Sequence, residues 1–267
     1  MDEILGYLLE DLHALKACSL TCKRLFGATR PLIHQRLVCV GTRPAPQKPK
    51  QSLFGRRRRH PGSFERLVDA GRLGVLCYTR HLTLKPTDEH SKPCFNPSDL
   101  QEYLPQLQSI TKLDSLTLEI FHLPLFTPVF DEYFGIFANT LRHLHVRRAN
   151  GTPWALLYIV SKFPLLEDLT IISPANWFTA PPVPAITQSP PLRGKLVLVN
   201  AHPRELIDGL AAFPGGLNFQ SIALAQCGHQ QAVLVACGRT ATSISYLWPQ
   251  GCYDSESNPP TQTHITM

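Results

Sequence analysis

The chain of 267 residues lacks the features that mark several large classes of protein. Its eight cysteines include no C-x-x-C pair and no short, regular framework, which favours reduced thiols over a disulfide scaffold. No basic segment precedes an apolar one at the N-terminus, so no secretory signal is expected. Two long uncharged stretches, 169–192 and 209–238, are broken by proline or by glycine and glutamine, so neither predicts a membrane-spanning helix. These absences predict a soluble protein of the cytoplasm or nucleus.

Catalytic signatures are missing as well. The sequence contains no G-x-S-x-G, no H-E-x-x-H, no G-x-x-x-x-G-K and no Rossmann glycine set. We therefore expect no enzyme, no catalytic residue and no cofactor.

Positive charge is concentrated in one short run. The net charge is +6, and Arg56–Arg59 alone supply four positive charges, so the rest of the chain is nearly balanced. Because nucleic-acid affinity needs many positive groups along one face, no nucleic-acid partner is expected. The run lies among prolines and lysines and predicts a basic, proline-rich linker over 41–62. It is either a nuclear-import signal or a solvated loop.

A short motif of the form apolar-x-apolar recurs along the chain. Five of its six spacings, 22 to 28 residues, lie within the period of about 20–29 residues that is typical of leucine-rich repeats, and the first, 34 residues, is longer. Four copies also carry an apolar residue three places earlier, which completes L-x-x-L-x-L; these residues are Leu113, Leu141, Leu166 and Phe219. In the fifth copy Leu192 stands one position too early. The seven copies begin at Leu82, Leu116, Leu144, Leu169, Leu196, Ile222 and Ile244.

Segments with helical periodicity lie between these motifs and complete a β-α unit. A single unit cannot bury its apolar sides alone, but stacked units build one continuous core. The pattern predicts an α/β fold: a leucine-rich-repeat solenoid over 63–248 with parallel strands and outer helices, followed by a flexible tail over 249–267. The predicted helices cover 98–110, 128–139, 154–163, 204–213 and 230–239.

The N-terminal 40 residues predict a small all-helical segment, with helix breaks near 11–13 and at Gly27. Glu3-Ile4-Leu5, the leucines that follow and the ending Cys22-Lys23-Arg24-Leu25 resemble the F-box family. Together with downstream leucine-rich repeats, the arrangement is similar to that of many fungal F-box proteins. The resemblance implies docking on a Skp-type adaptor of a cullin-RING ubiquitin ligase through Ile4, Leu5, Leu8, Leu12, Leu15, Leu20 and Leu25.

Two other interpretations of this segment stay open. The helices could form a cap that covers the open end of the solenoid core, as repeat arrays require. Cys18 and Cys22, with His13 and His34 nearby, could be zinc ligands, but their spacing is unlike that of common zinc sites and favours packed thiols. No metal is expected.

Side chains that alternate with the buried leucines should share the other face of the sheet. This face is polar and mostly basic on its first strands and turns small and apolar on the later ones, which is typical of a protein-binding surface. We expect it to bind a target segment with an acidic or phosphorylated end and an apolar end. The alternatives are that the tail or a loop covers the apolar part, or that His143 and His145 bind metal. The predicted target-binding residues are His81, Lys85, Thr117, His143, His145, Arg147, Thr170, Val197 and Val199.

The predicted function is substrate recognition for a cullin-RING, SCF-type ligase: the box holds a Skp-type adaptor and the repeats hold an unknown target protein. The alternative is a leucine-rich-repeat scaffold with no ligase role.

Overall fold

A computed structural model describes residues 11–41, 64–86, 103–119, 123–172, 189–200, 204–227, 230–237, 240–247 and 262–266. Ile4, Leu5 and Leu8, nearly all of the predicted linker with Arg56–Arg59, and 249–261 of the predicted tail lie outside the described residues. The chain divides into two compact units, 1–113 and 114–267. The division falls within the segment 63–248 that the sequence predicts as one solenoid.

The first unit contains a helix pair and two parallel strands. Helices α1 (Leu12–Thr21) and α2 (Lys23–Ile33) lead into strand β1 (Arg36–Gly41), which helix α3 (Glu65–Arg72) and a 3-10 turn (Leu76–Tyr78) connect to β2 (His81–Pro86). A second 3-10 turn, Leu104–Ser109, follows β2 and lies in the predicted helix 98–110, of which 98–102 is outside the described residues.

The second unit is a sheet whose strands are hydrogen-bonded in chain order. Strands β3 to β8 are parallel to their neighbours, and β9 is antiparallel to β8. The strands are β3 (Ser115–Glu119), β4 (His143–Arg147), β5 (Asp168–Ile172), β6 (Leu192–Val199), β7 (Leu217–Ala225), β8 (Ser243–Leu247) and β9 (Gln262–Thr266). The helices between them are α4 (Leu123–Val129), α5 (Pro153–Ser161), α6 (Arg204–Ala211) and α7 (Gln230–Cys237).

All seven predicted strand motifs are strands, and the predicted α/β architecture with parallel strands is confirmed. The alternation has the expected cause, because the first and third residues of the first six motifs bury their side chains on one face; in the seventh, Ile244 is buried and Tyr246 is half-buried. Leu144, Leu169 and Leu196 are register partners on adjacent strands and are almost fully buried. Helices α5, α6 and α7 lie where the sequence predicts helices, each ending two residues before its predicted end.

Strand β1 is absent from the sequence predictions, which assigned 36–40 to the helical segment. Leu37 and Cys39 pair in register with Leu82 and Leu84, so Leu37-Val38-Cys39 is an eighth copy of the apolar-x-apolar motif. Cys39 is fully buried, and this burial raises its pKa to about 12. The thiol therefore acts as a small apolar core group.

The helix break predicted at Gly27 is wrong, because α2 runs through this residue. The interruption lies at Cys22, whose extended backbone ends α1 and begins α2. The break predicted at 11–13 is placed correctly: Asp11 is the N-cap of α1, and its carboxylate accepts a hydrogen bond of 2.9 Å from the Ala14 N–H.

The predicted helix 128–139 begins five residues earlier, and Pro128 lies inside α4 rather than at its start. A proline at this position cannot donate to the carbonyl of Pro124. The Thr127 hydroxyl donates to that carbonyl instead, at 2.8 Å. The chain then continues as a π-helical turn, Phe130–Phe134, and a 3-10 turn, Gly135–Phe137, which bury Phe130, Phe134 and Phe137, and Phe126 of α4 is buried as well.

A β-bulge between β6 and β7 lies beside the displaced Leu192. Gly194 pairs with Phe219 and Lys195 pairs with Ser221, so the extra residue is Gln220 of β7, and Leu192 is buried although it stands four residues before Leu196. Gly194 has a φ of +84°, and a Cβ at this residue would overlap the backbone carbonyl of Glu167 on the neighbouring turn. The bulge therefore depends on glycine.

The predicted flexible tail contains β9. Residues 262–266 pair antiparallel with β8, and Ile265 is the register partner of Ile244. The last parallel strand would otherwise present an unpaired edge, which explains why a segment rich in polar residues forms a strand here.

We expect Gly194→Ala to lower the free energy of unfolding by about 1–3 kcal/mol, because it combines an unfavourable φ with a backbone overlap. Gly216→Ala is the matched control in the same unit, since Gly216 has a φ of +74° but open space around it, and it should cost only about 1 kcal/mol. Urea unfolding followed by circular dichroism measures both. Equal losses for the two variants would contradict the overlap.

Candidate functional site

The polar face of the second unit's sheet carries the candidate site. In parallel register, side chains at equivalent positions of successive strands form rows across the face. We call this set of residues the strand face. Its first row is Ser115, His143, Asp168, Lys195 and Ser221; its second is Thr117, His145, Thr170, Val197 and Ala223; its third is Glu119, Arg147, Ile172, Val199 and Ala225.

The structure brings together the seven predicted target-binding residues of this unit, but it does not expose them equally. Arg147 is exposed, and Thr117, His143, His145, Val197 and Val199 are half-buried. Thr170 is only 6% exposed, which corrects the expectation that it points freely into solvent. Its side chain lies between His145 and Val197 of the neighbouring strands, and its hydroxyl is turned to Asp168.

The apolar half of the predicted surface is also smaller than expected. Ala223 and Ala225 are buried, whereas Val197 and Val199 keep part of their surface accessible. A methyl group rises little above the backbone, so the valines on the adjoining strand shield both alanines. The accessible apolar part of the strand face is therefore Ile172, Val197 and Val199.

A small polar cluster joins β4 to β5. His143 Nδ1 and Asp168 Oδ2 lie 4.0 Å apart, and the Thr170 hydroxyl donates a hydrogen bond of 3.1 Å to Asp168 Oδ1. Both carboxylate oxygens of Asp168 thus face groups of the protein itself. Just before the two strands, Arg142 and Glu167 form an exposed ion pair.

His145 is half-buried in the middle row of the strand face. Burial lowers the pKa of His145; Asp168 acts in the opposite direction, and the positive charges of Lys195 and Arg147, with His143, lower it further. The imidazole is therefore neutral at pH 7, because desolvation disfavours its charged form. A neutral ring keeps one nitrogen as an acceptor and one as a donor.

The other two predicted target-binding residues lie in the first unit. His81 and Lys85 are half-buried on β2, where they are the register partners of Arg36 and Val40 on β1. Between them Thr83 pairs with Val38, which is exposed. This pair of strands has its own mixed face of basic and aliphatic side chains.

The described residues of the predicted adaptor-binding set are not equivalent. Leu12 is 44% exposed and Leu20 is 86% exposed, Leu25 is half-buried, and Leu15 is completely buried. Leu15 therefore anchors α1 within its own unit. Leu12 and Leu20 are available to another protein.

The sequence predictions missed a neighbouring cluster that extends this surface. The Arg30 guanidinium carbon lies 5.7 Å from the ring centre of Phe26 and 6.0 Å from that of Tyr78, and its Nη2 donates to the Leu73 carbonyl at 2.7 Å. The side chains of Phe26 and Leu73 are exposed. Only the helical spacing of Phe26 and Arg30 signals this contact in the sequence, because Leu73 and Tyr78 come about 45 residues later.

The cysteines serve packing and capping. Cys18 is half-buried, and Cys22 Sγ accepts a weak hydrogen bond from the Leu25 N–H at 3.5 Å. Cys227, which follows Leu224 by three residues, is buried, and its Sγ donates to the Leu198 carbonyl at 3.1 Å. Within the described ranges, no three His, Cys, Asp or Glu side chains are grouped to hold a metal ion.

Comparisons with protein-family models, with curated proteins and with solved structures found no match to this chain. Among the described residues, no helix has both the length and the apolar character needed to cross a membrane.

We expect the His145 ring to titrate below the ordinary histidine pKa of about 6.5 in an NMR pH titration. Asp168→Asn should lower this pKa further and Arg147→Gln should raise it, because each change removes one of the charges around the ring. Since the unfolded chain binds this proton at higher pH, the contribution of His145 to stability is present above about pH 6.5 and is lost as pH falls through the pKa of the folded form. An ordinary pKa in the folded chain would contradict the burial of the ring.

Proposed function

We propose that the chain is a substrate-recognition subunit of a cullin-RING ubiquitin ligase of the SCF type. In this proposal the N-terminal helices bind a Skp-type adaptor, the strand face binds a target protein, and other subunits carry out catalysis. The proposal places the chain in the cytoplasm or nucleus, and it assigns the chain no catalytic residue or cofactor.

The assignment of leucine-rich repeats is supported by three features of the fold. Strands β3 to β8 are parallel and follow one another in chain order, each is separated from the next by one crossover, and the apolar residues of L-x-x-L-x-L are buried. The position of Cys227 agrees with the x-x-N/C continuation of the motif. Extended repeats of this kind typically bind proteins through the face that their strands form.

The observation that carries the ligase role is the exposure of Leu20 and Leu12 on α1, which coincides with the residues that resemble the F-box. Exposed apolar side chains that lie together mark protein-binding surfaces, whereas single ones are ordinary. Phe26, close to the position of the aromatic residue that ends an F-box, is exposed as well. An aromatic ring beside an arginine is typical of the centre of protein interfaces.

A repeat scaffold without a ligase role is the second candidate. Its support is Leu15, which is buried within the first unit and so serves the fold itself rather than an adaptor. A helix pair that only capped the repeats would need the same burial. Binding to a Skp-type adaptor distinguishes the two candidates.

We expect Leu20→Lys to weaken adaptor binding at least tenfold, because burying a leucine side chain contributes roughly 1.5–3 kcal/mol. Leu12→Asp is a second variant at an exposed leucine of α1. The helix dipole favours lysine near the C-terminal end of α1 and aspartate near its N-terminal end, so both variants should preserve the helix. Binding is measured by calorimetry on the purified full chain with the adaptor.

Val235→Asp is the matched control, because this aliphatic residue is 76% exposed on α7 in the other unit. It should bind the adaptor like the wild type. Absence of adaptor binding by the wild-type chain at micromolar concentrations would reject the ligase role and leave the scaffold.

We expect the double variant Arg147→Glu, Val197→Asp to lose captured target protein from a cell lysate while it keeps the adaptor. The first change reverses an exposed charge of the strand face and the second places a charge in its accessible apolar part. Mass spectrometry of the captured proteins compares the variant with the wild type. An unchanged captured set, with both proteins folded, would place target recognition on another surface.

A further inference from the structure

The charged side chains of the strand face differ in exposure according to their sign. Its two carboxylates do not face solvent freely: Glu119 is buried, and Asp168 faces His143 and Thr170. Its two permanent cations, Arg147 and Lys195, are both exposed. Among the ion pairs between described residues, none includes either of them. The strand face therefore presents positive charge to a partner although its formal charges balance.

The two cations are too far apart for one small anion. They lie two strands apart, and Lys195 precedes Val199, which shares the row of Arg147, by four residues. At about 4.8 Å between strands and about 3.3 Å per residue, their Cα atoms are roughly 16 Å apart. In an extended segment, residues i and i+4 lie on the same side about 13 Å apart. The long side chains of Arg147 and Lys195 span the remaining distance of about 3 Å.

We propose that the strand face binds an extended target segment with two acidic residues four positions apart, one at Arg147 and one at Lys195, with a small or apolar residue between them over Thr170. The proposal rests on the proposed target-binding role and names its partner class. Ile172, Val197 and Val199 offer the accessible apolar surface beside this path. A single phosphate would engage only one of the two cations.

Proton uptake accompanies such binding. The groups around His145 are Thr117 and the carboxylate Glu119 on β3, His143 and Arg147 on β4, Asp168 and Thr170 on β5, and Lys195 on β6. Carboxylates of the bound segment favour the protonated form of the His145 ring. In the free protein His143, Arg147 and Lys195 oppose this protonation. Capture therefore strengthens as pH falls from about 7.5 to about 6.

The test uses the full chain with labelled histidines and a seven-residue peptide of serines, with glutamate at its second and sixth positions and valine at its fourth. Binding is followed by NMR through the His143 and His145 rings at low salt, where charge interactions are least screened. We expect the affinity to drop roughly threefold for each of Arg147→Gln and Lys195→Gln. Arg72→Gln, which removes an exposed positive charge from α3, should leave binding unchanged.

Three comparison peptides decide between partners: one with the glutamates adjacent, one with glutamine in place of glutamate, and one with a single phosphoserine. The spaced diacidic peptide should bind tightest, more tightly near pH 6 than near pH 7.5. In His143→Asn, His145→Asn, where binding is measured by calorimetry, the pH dependence should vanish. Equal binding of the spaced and adjacent peptides, tighter binding of the phosphopeptide or of an oligonucleotide, or no binding at millimolar peptide would each overturn the proposal. Adaptor binding by the same sample separates this outcome from failure of the ligase role.

Discussion

The burial of two apolar side chains per strand, in register from strand to strand, is the constraint on which the rest of the second unit depends. Leu144 and Val146 on β4 align with Leu169 and Ile171 on β5, and all four are almost inaccessible. A slip of one residue would turn every such pair to the opposite face. The register is therefore strongly determined, and with it the position of each side chain on the strand face.

This constraint leaves the composition of the strand face free. The core needs apolar residues only at alternate positions, so His143, His145 and Arg147 occupy the intervening positions of β4 without cost to packing. What the core does determine is their spacing, because rows and strands repeat at fixed distances. A partner that binds here must place its own groups at the same spacing. The separation of Arg147 and Lys195 is therefore informative about the chemistry of the partner.

The sequence predicts the strands well because the apolar-x-apolar motif is short, repeated and followed by helical segments. It fails at β1, since Leu37 and Cys39 also fit the helical spacing of the residues before them. It also fails at Pro128, where the Thr127 hydroxyl compensates the missing backbone donor and allows the helix to start at Leu123. At β1 pairing with a strand about 45 residues later decides the structure, and at Pro128 a side-chain hydrogen bond within the same turn does.

For the candidate site, the sequence predicts which residues share the face but not how deep each one lies. Depth depends on the height of neighbouring side chains, so Thr170 is buried between His145 and Val197, whereas Val197 beside Ala223 remains partly accessible. The depressed pKa of His145 is likewise a property of the assembled rows. A list of residues on one face therefore predicts location, and burial must be read from the structure.

The helix pair of the first unit shows the same dependence on neighbours in its simplest form. One leucine of α1, Leu15, is buried, while Leu12 and Leu20 on the same helix remain exposed. A ten-residue helix is marginal in isolation, so its stability comes from the few side chains it packs against its own unit. A partner that covered Leu20 and Phe26 would add apolar burial comparable with what holds the helix in place. Binding at this surface would therefore stabilise α1 and α2 at the same time as it recruited the partner.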